Sequence, residues 1–254
     1  MTARTQDKDR TPKADCRQCP HRKTTLLTGR CVPGDTCVRA MSGRQIERFF
    51  RENPALAGDY TGDEFWERRA IAARYISQQR LLTMLNDPDE VVRRVLAYRL
   101  PVDTLHLLMN DTDREVRLTV ADRITIDKLE QMADDSDYLI RVYVARRLPA
   151  GRLFRYIVDN DREVRTTVAE RLPVESLVLM MDDPEPEVRS IVAERITPEL
   201  AIDMLQDNDW RVRIAAISRV PLHILLDYTN DEDRDIREIA MMRLQDAEEE
   251  QSNA

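Results

Sequence analysis

The chain has 254 residues, of which 34% are charged and 5% aromatic, and its net charge is −8. Such a composition fits a helical protein with a solvated outer surface, and it argues against a polyelectrolyte partner for nucleic acid. No apolar run is long enough to span a membrane and residues 1–15 have no apolar centre, so a cytoplasmic protein without a signal peptide is expected.

Charge and glycine divide the chain unevenly. Residues 1–52 hold twelve Lys or Arg against six Asp or Glu, a net of +6, which leaves −14 for the remainder. Five of the six glycines stand at or before Gly62. Three segments are expected: a cysteine-rich module over 1–62, a repeat array over 63–244 and an acidic flexible tail over 245–254.

All four cysteines fall in the first segment, spaced Cys16-x2-Cys19-x11-Cys31-x5-Cys37. In a reducing compartment four clustered thiols point to a metal site rather than to two disulfides. Gly29 and Gly34 allow tight turns around such a site, and Pro20 and Pro33 stiffen it. One tight knuckle and one loose one leave zinc and an iron–sulfur cluster both open. His21 is read as a solvated neighbour, not a ligand. Arg17, Arg22, Lys23, Arg30 and Arg39 adjoin the ligand positions in sequence. They would offset the negative charge of a thiolate-bound cluster, or simply form a solvated basic segment.

From residue 69 an Arg recurs every 24 positions: Arg69, Arg93, Arg117, Arg141, Arg165, Arg189, Arg213 and Arg237. A fixed period of this length marks a stacked repeat array. Counting from this Arg, apolar residues recur at −1, +3, +4 and +7, one stripe of a 3.6-period helix. Asp at −4 is a good N-cap, and a Pro following +7 stops the helix. Each unit therefore opens with a helix of about three turns and leaves room for one short second helix, 3₁₀ in part. The recurring Arg lies inside the apolar stripe, where an unpaired guanidinium is costly. The paired Asp residues that close each unit, such as Asp87/Asp89 and Asp159/Asp161, are the expected partners, forming a ladder along the stack. Tyr75 in place of Arg at +6, and Met241 in place of Ala at +4, mark the first and last units as caps. Trp66 and Trp210 share the −3 column and serve as end packing or as anchors for a partner.

These motifs resemble the leucine-rich repeat variant proteins, a bacterial family with an N-terminal iron–sulfur module. The unit Asp113-Arg-Glu-Val-Arg-Leu-Thr-Val-Ala-Asp-Arg-Ile124 and the four-cysteine set carry the resemblance, which covers nearly the whole chain. It implies an all-α fold: a right-handed superhelical solenoid of alternating α and short 3₁₀ helices, plus a small metal-cluster domain. It also implies a [4Fe–4S] cluster on Cys16, Cys19, Cys31 and Cys37, with zinc as the alternative, and it hints at a link to bacterial nitrogen metabolism.

No P-loop, dinucleotide fingerprint or radical-enzyme cysteine spacing is present. His106 and His223 do not share a column of the repeat, and no catalytic set stands out from the acidic background. The expectation is a non-enzymatic scaffold that holds a protein partner on the solenoid surface, with the cluster in a redox-sensing, oxygen-sensing or structural role. The alternatives are an iron–sulfur electron carrier serving a partner enzyme and a zinc-bound interaction module. Nucleic-acid binding through the basic N-terminal segment is disfavoured, since no aromatic stacking set or helix-turn-helix pattern accompanies it.

Overall fold

In the computed structural model, residues 14–252 are described, and all their regular structure is helical apart from one isolated bridge, Val32 to Thr36. The chain divides into two compact units, Met1–Thr125 and Ile126–Ala254.

The first unit begins with a short 3₁₀ turn, Pro20–Lys23, then α1 (Gly43–Glu52) and a 3₁₀ segment, Pro54–Tyr60. Ile46, Phe49 and Phe50 are fully buried on one face of α1. Phe50 packs edge-on against Phe49 at 5.6 Å and against Tyr60 at 5.4 Å, the offset arrangement that ring quadrupoles favour. The array follows as α2 (Trp66–Ala72), α3 (Gln78–Leu81), α4 (Glu90–Arg99) and α5 (Arg114–Arg123). Helix α1 packs on α2, α2 on α4, and α4 on α5.

The second unit contains α6 (Ile126–Leu129), α7 (Tyr138–Arg147), α8 (Arg162–Ala169), α9 (Pro186–Arg195), α10 (Pro198–Ala201), α11 (Trp210–Ile217), α12 (Leu222–Leu225) and α13 (Arg234–Ser252). Its long helices pack in sequence, α7 on α8, α8 on α9, α9 on α11 and α11 on α13.

In both units the inner repeats follow the anatomy that the period predicts, whereas the first opens on Phe65 without a side-chain cap and the last has no second segment. Asp89, Asp113, Asp137, Asp161 and Asp209 are N-caps whose carboxylates accept first-turn amides. Glu185 replaces this Asp before α9, and its longer side chain makes no cap hydrogen bond. Four of the 10-residue helices, α4, α5, α7 and α9, end with their C-cap at +7. The second segment is a seven-residue 3₁₀ helix in three repeats, Val102–Leu108, Ala150–Tyr156 and Val174–Met180. Elsewhere one α-turn precedes a 3₁₀ turn, as in α6 followed by Glu130–Met132. Either form turns the +12 Leu inward: Leu81, Leu105, Leu129, Leu153, Leu177 and Leu225 have no exposed surface.

The C-terminal end differs from expectation. Helix α13 runs on to Ser252, eight residues into the segment expected to be flexible. No Gly or Pro interrupts Asp246–Ser252, Ala and Glu are good helix formers, and Gln245 donates to Glu249 one turn on at 3.2 Å. Residues 1–13, at the start of the expected cysteine module, lie outside the described residues, as do 253 and 254.

Candidate metal centre

The four cysteines come from loop and turn backbone ahead of α1. Cys19 immediately precedes the Pro20–Lys23 turn, and its amide donates to the carbonyl of Cys16 at 3.3 Å, closing the first knuckle. Gly29 and Gly34 adopt φ of 71° and 88°, the left-handed conformation that glycine tolerates without strain. Gly29 precedes Cys31 by two residues, and Gly34 lies between Cys31 and Cys37. The amide of Cys37 is held by the carbonyl of Gln45 in α1, which fixes the second half of the loop to the helical core.

All four thiols are free; Cys31 and Cys37 are buried, and Cys16 and Cys19 are half-buried. Burial pushes the Cys31 thiol up to about 12, with repulsion from Cys37, Cys19 and Cys16 adding to the shift. Burial also pushes Cys37 up, opposed by the backbone amides of Arg39 and Ala40. Among the described residues no three of these cysteine side chains close into a coordination shell. Four free cysteines within 22 residues, two of them buried, are a soft all-sulfur donor set whose chemistry fits a thiolate-ligated metal group. A soft cation replaces the protons and removes the repulsion.

His21 corrects the sequence expectation of a solvated side chain. Its ring is 8% exposed, and Nε2 lies 2.6 Å from the Tyr60 hydroxyl. The 3₁₀ turn that starts at Pro20 points the imidazole into the aromatic core, 5.3 Å from the Phe49 ring centre. Burial lowers its proton affinity, opposed by the charge of Asp59. Its role here is to join the cysteine loop to the core. The basic neighbours Arg17, Arg22, Lys23, Arg30 and Arg39 are all exposed, and Arg17 is paired with Asp15 at 3.1 Å.

The module is tied to the first repeat by the cap residue that the sequence singled out. Tyr75 donates to Glu47 of α1 at 2.5 Å, and Arg74 donates to the same carboxylate at 3.0 Å. Trp66, 39% exposed, adjoins Gly43 and Arg44 of α1 around a surface depression, whereas Trp210 is 54% exposed against Arg211 and Ile214.

The recurring Arg forms the expected ladder within each unit. Arg69 donates Nε and Nη2 to the two oxygens of Asp87, both at 2.8 Å, while Nη1 donates to the carbonyl of Asp63 at 2.8 Å. The same fork joins Arg93 to Asp111, Arg141 to Asp159, Arg165 to Asp183 and Arg189 to Asp207. Each of these Asp carboxylates also accepts the amide two residues on, so one residue holds its own turn and the preceding helix together. The last rung is looser: Arg213 meets Asp233 at 3.4 Å, with both side chains about a quarter exposed.

A second ladder was not read from the sequence. Arg99 donates to the carbonyls of Ala73 and Ile76, at the C-terminal end of the preceding repeat's first helix. Arg123 does so to Ala97 and Leu100, Arg171 to Ala145 and Leu148, Arg195 to Ala169 and Leu172, and Arg243 to Ile217 and Val220. Cations at these carbonyls satisfy acceptors that the helix leaves open and complement the negative end of its dipole. The recurrence of Arg at +6 was the available signal.

Comparison with known proteins agrees with this architecture. Residues 11–59 match the family described as LRV protein FeS4 cluster, and residues 162–185 match the leucine rich repeat variant family. A solved structure described as a leucine-rich repeat variant with a novel repetitive protein structural motif is 55% identical. It covers 92% of this chain and 100% of its own, with a TM-score of 0.85. An uncharacterized 27.7 kDa protein in the nifB 3′ region of Rhodobacter capsulatus is 41% identical over 76 residues. That match spans 30% of this chain and about a third of the relative, 31% of its length.

Proposed function

The chain belongs to the leucine-rich repeat variant family with an FeS4-cluster module at its N-terminus, and on that premise we propose that it is a non-enzymatic scaffold. In this reading the array presents a surface to a protein partner, and the module carries a [4Fe–4S] cluster on Cys16, Cys19, Cys31 and Cys37. The observation that carries the cofactor is the set of four free thiols, all inside the residues that match the FeS4 family.

When bound, such a cluster supplies one-electron redox chemistry and sensitivity to oxygen. The chain's own residues do the rest. The Cys16–Cys19 knuckle and the Gly29 and Gly34 turns would hold the sulfurs, and the bond from the Cys37 amide to the Gln45 carbonyl anchors the second half of the loop on α1. The exposed Arg and Lys of the module oppose the negative charge of a thiolate-ligated cluster. The bond between His21 and Tyr60 and that between Tyr75 and Glu47 tie the module's loop to α1 and the first repeat, so a change at the cluster bears on that contact. This is the basis for a sensing or structural role.

Anaerobic purification tests the reading. The expected product is brown, absorbs broadly near 400 nm and contains iron and sulfide, and Cys31→Ser loses most of both. A colourless protein with stoichiometric zinc overturns it. A pull-down performed anaerobically and after air exposure is expected to capture a partner in a cluster-dependent way. The relative's position in the nifB 3′ region makes products of that neighbourhood the first partners to test.

The half-buried state of Cys16 and Cys19 favours one second reading, an electron carrier with its cluster near the surface. A reversible voltammetric couple supports it, and an irreversible one leaves sensing or structure.

A further inference from the structure

Within the unit Ile126–Ala254, the outer side of the second helical segment is apolar where the core does not require it. Val178, Ile202 and Leu226 stand thirteen positions after the ladder Arg in the fifth, sixth and seventh repeats. Val178 and Leu226 are 46% and 64% exposed, their neighbours Leu179 and Leu222 are 58% and 41% exposed, and Ile202 between them is half-buried. The +12 residues Leu177 and Leu225 already fill the interior. A depression of about 290 Å³ opens on the same side, lined in part by Val158, Leu179, Asp182 and Pro184. A group of exposed apolar side chains, rather than scattered single ones, marks a contact surface.

The charge carried by the second segments themselves has one sign, and the Arg165 that lines the depression is paired with Asp183. Segments 173–184, 197–208 and 221–232 contain no Lys or Arg, whereas Glu175, Asp182, Glu199, Asp203 and Asp227 are exposed in them. Apolar side chains rimmed by carboxylates complement apolar knobs flanked by Lys or Arg. Spacing narrows the partner further. Packed helices lie about 8–10 Å apart, so one column recurs at about that distance from repeat to repeat. Residues seven apart on an α-helix are separated by about 10.5 Å. A helix laid across the repeats thus places i, i+7 and i+14 over Val178, Ile202 and Leu226.

We propose that the 3₁₀ side of repeats five to seven is the docking surface for a basic amphipathic α-helix of a partner protein, one with apolar residues at every seventh position. The mode is an amphipathic helix seated on an apolar face. The inference rests on the scaffold reading and supplies its face and partner chemistry.

The test uses the full chain purified anaerobically with its cluster. The probe is a fluorescein-labelled helical peptide of about 18 residues with Leu at every third or fourth position and Lys elsewhere. A control peptide carries Glu in place of Lys, and fluorescence anisotropy is read at about 0.15 M salt. The Leu/Lys peptide is expected to bind and the Leu/Glu peptide not. Val178→Lys combined with Leu226→Lys should weaken binding about tenfold or more, whereas Glu170→Gln combined with Glu194→Gln should leave it within about twofold. The second pair makes the same charge change on exposed positions of the α-helical side. Circular dichroism checks that both double variants remain helical.

Equal weakening by the two double variants means nonspecific attraction and overturns the proposal, as does equal binding of the Leu/Glu peptide or no binding of the Leu/Lys peptide. A dimer that Val178→Lys with Leu226→Lys converts to monomer assigns the face to a second copy and also overturns it. If the peptide test fails but a cluster-dependent partner is captured through another surface, the scaffold reading stands alone. If no partner binds at all, both fall.

Discussion

Arg165 and Asp183 are the most enclosed members of the ladder, with side chains 8% and 3% exposed. Arg213 and Asp233 sit at 25% and 28%, with a longer separation. Removing one partner of a buried pair strands the other, so Arg165→Ala is expected to cost about 3 kcal/mol, whereas Arg213→Ala costs about 1 kcal/mol. Arg165→Lys should recover little, because a single ammonium cannot fork onto Asp183 and also reach the carbonyl of Asp159. Urea melts measure all three, and equal losses at the two rungs would contradict the burial argument. The same ladder sets the acid limb of stability. The Arg189 fork holds the Asp207 carboxyl below its usual range, with burial opposing and the Asp209 amide assisting. A depressed carboxyl adds stability above the unfolded value of about 3.9 and loses it as pH falls through the folded value. Asp207→Asn should therefore lower stability at pH 7 and flatten its loss below about pH 4, as read by melts across pH.

Capping governs the individual helix. The Asp161 carboxylate accepts the amide of Glu163 at 2.9 Å at the start of α8. Glu185, at the equivalent position before α9, makes no such bond. Asp161→Ala should cost about 1 kcal/mol, while Glu185→Ala should stay within about 0.5 kcal/mol of the parent. Paired thermal melts decide this; equal effects would mean that the cap geometry does not carry energy. The other end of each helix is held from outside. Arg171 reaches the last carbonyls of α7 from the repeat that follows, so a helix terminus is completed by its neighbour rather than by its own residues.

Because the repeats within a unit take their buried partners from adjacent repeats, damage at the N-terminal module should remain local. Cys31→Ser is expected to abolish most iron binding and to lower the first thermal transition, while the array keeps about nine-tenths of its helical circular dichroism. Collapse of the whole helical signal would show that the module is required for the array to fold. No helix among the described residues is long and apolar enough to cross a membrane.

The ladder Arg and its Asp were legible in the sequence because both partners are side chains and both recur at a fixed interval. So were the N-caps and the inward +12 Leu, since helical period and first-turn chemistry are local properties of the chain. The four thiols pointed to a metal group by residue type and spacing, and they lie within residues 11–59, which match the FeS4 cluster family. Tertiary structure alone decided what lies at the far end of a contact that leaves no mark in composition. The +6 Arg binds carbonyls, which every residue carries, so its partner could not be read from residue identity. His21 looked solvated beside its cysteine knuckle, yet the Tyr60 hydroxyl, 39 residues away, holds it inside the core. Local periodicity fixes which way a side chain faces along its own helix, and only the packing of distant segments decides what it meets there.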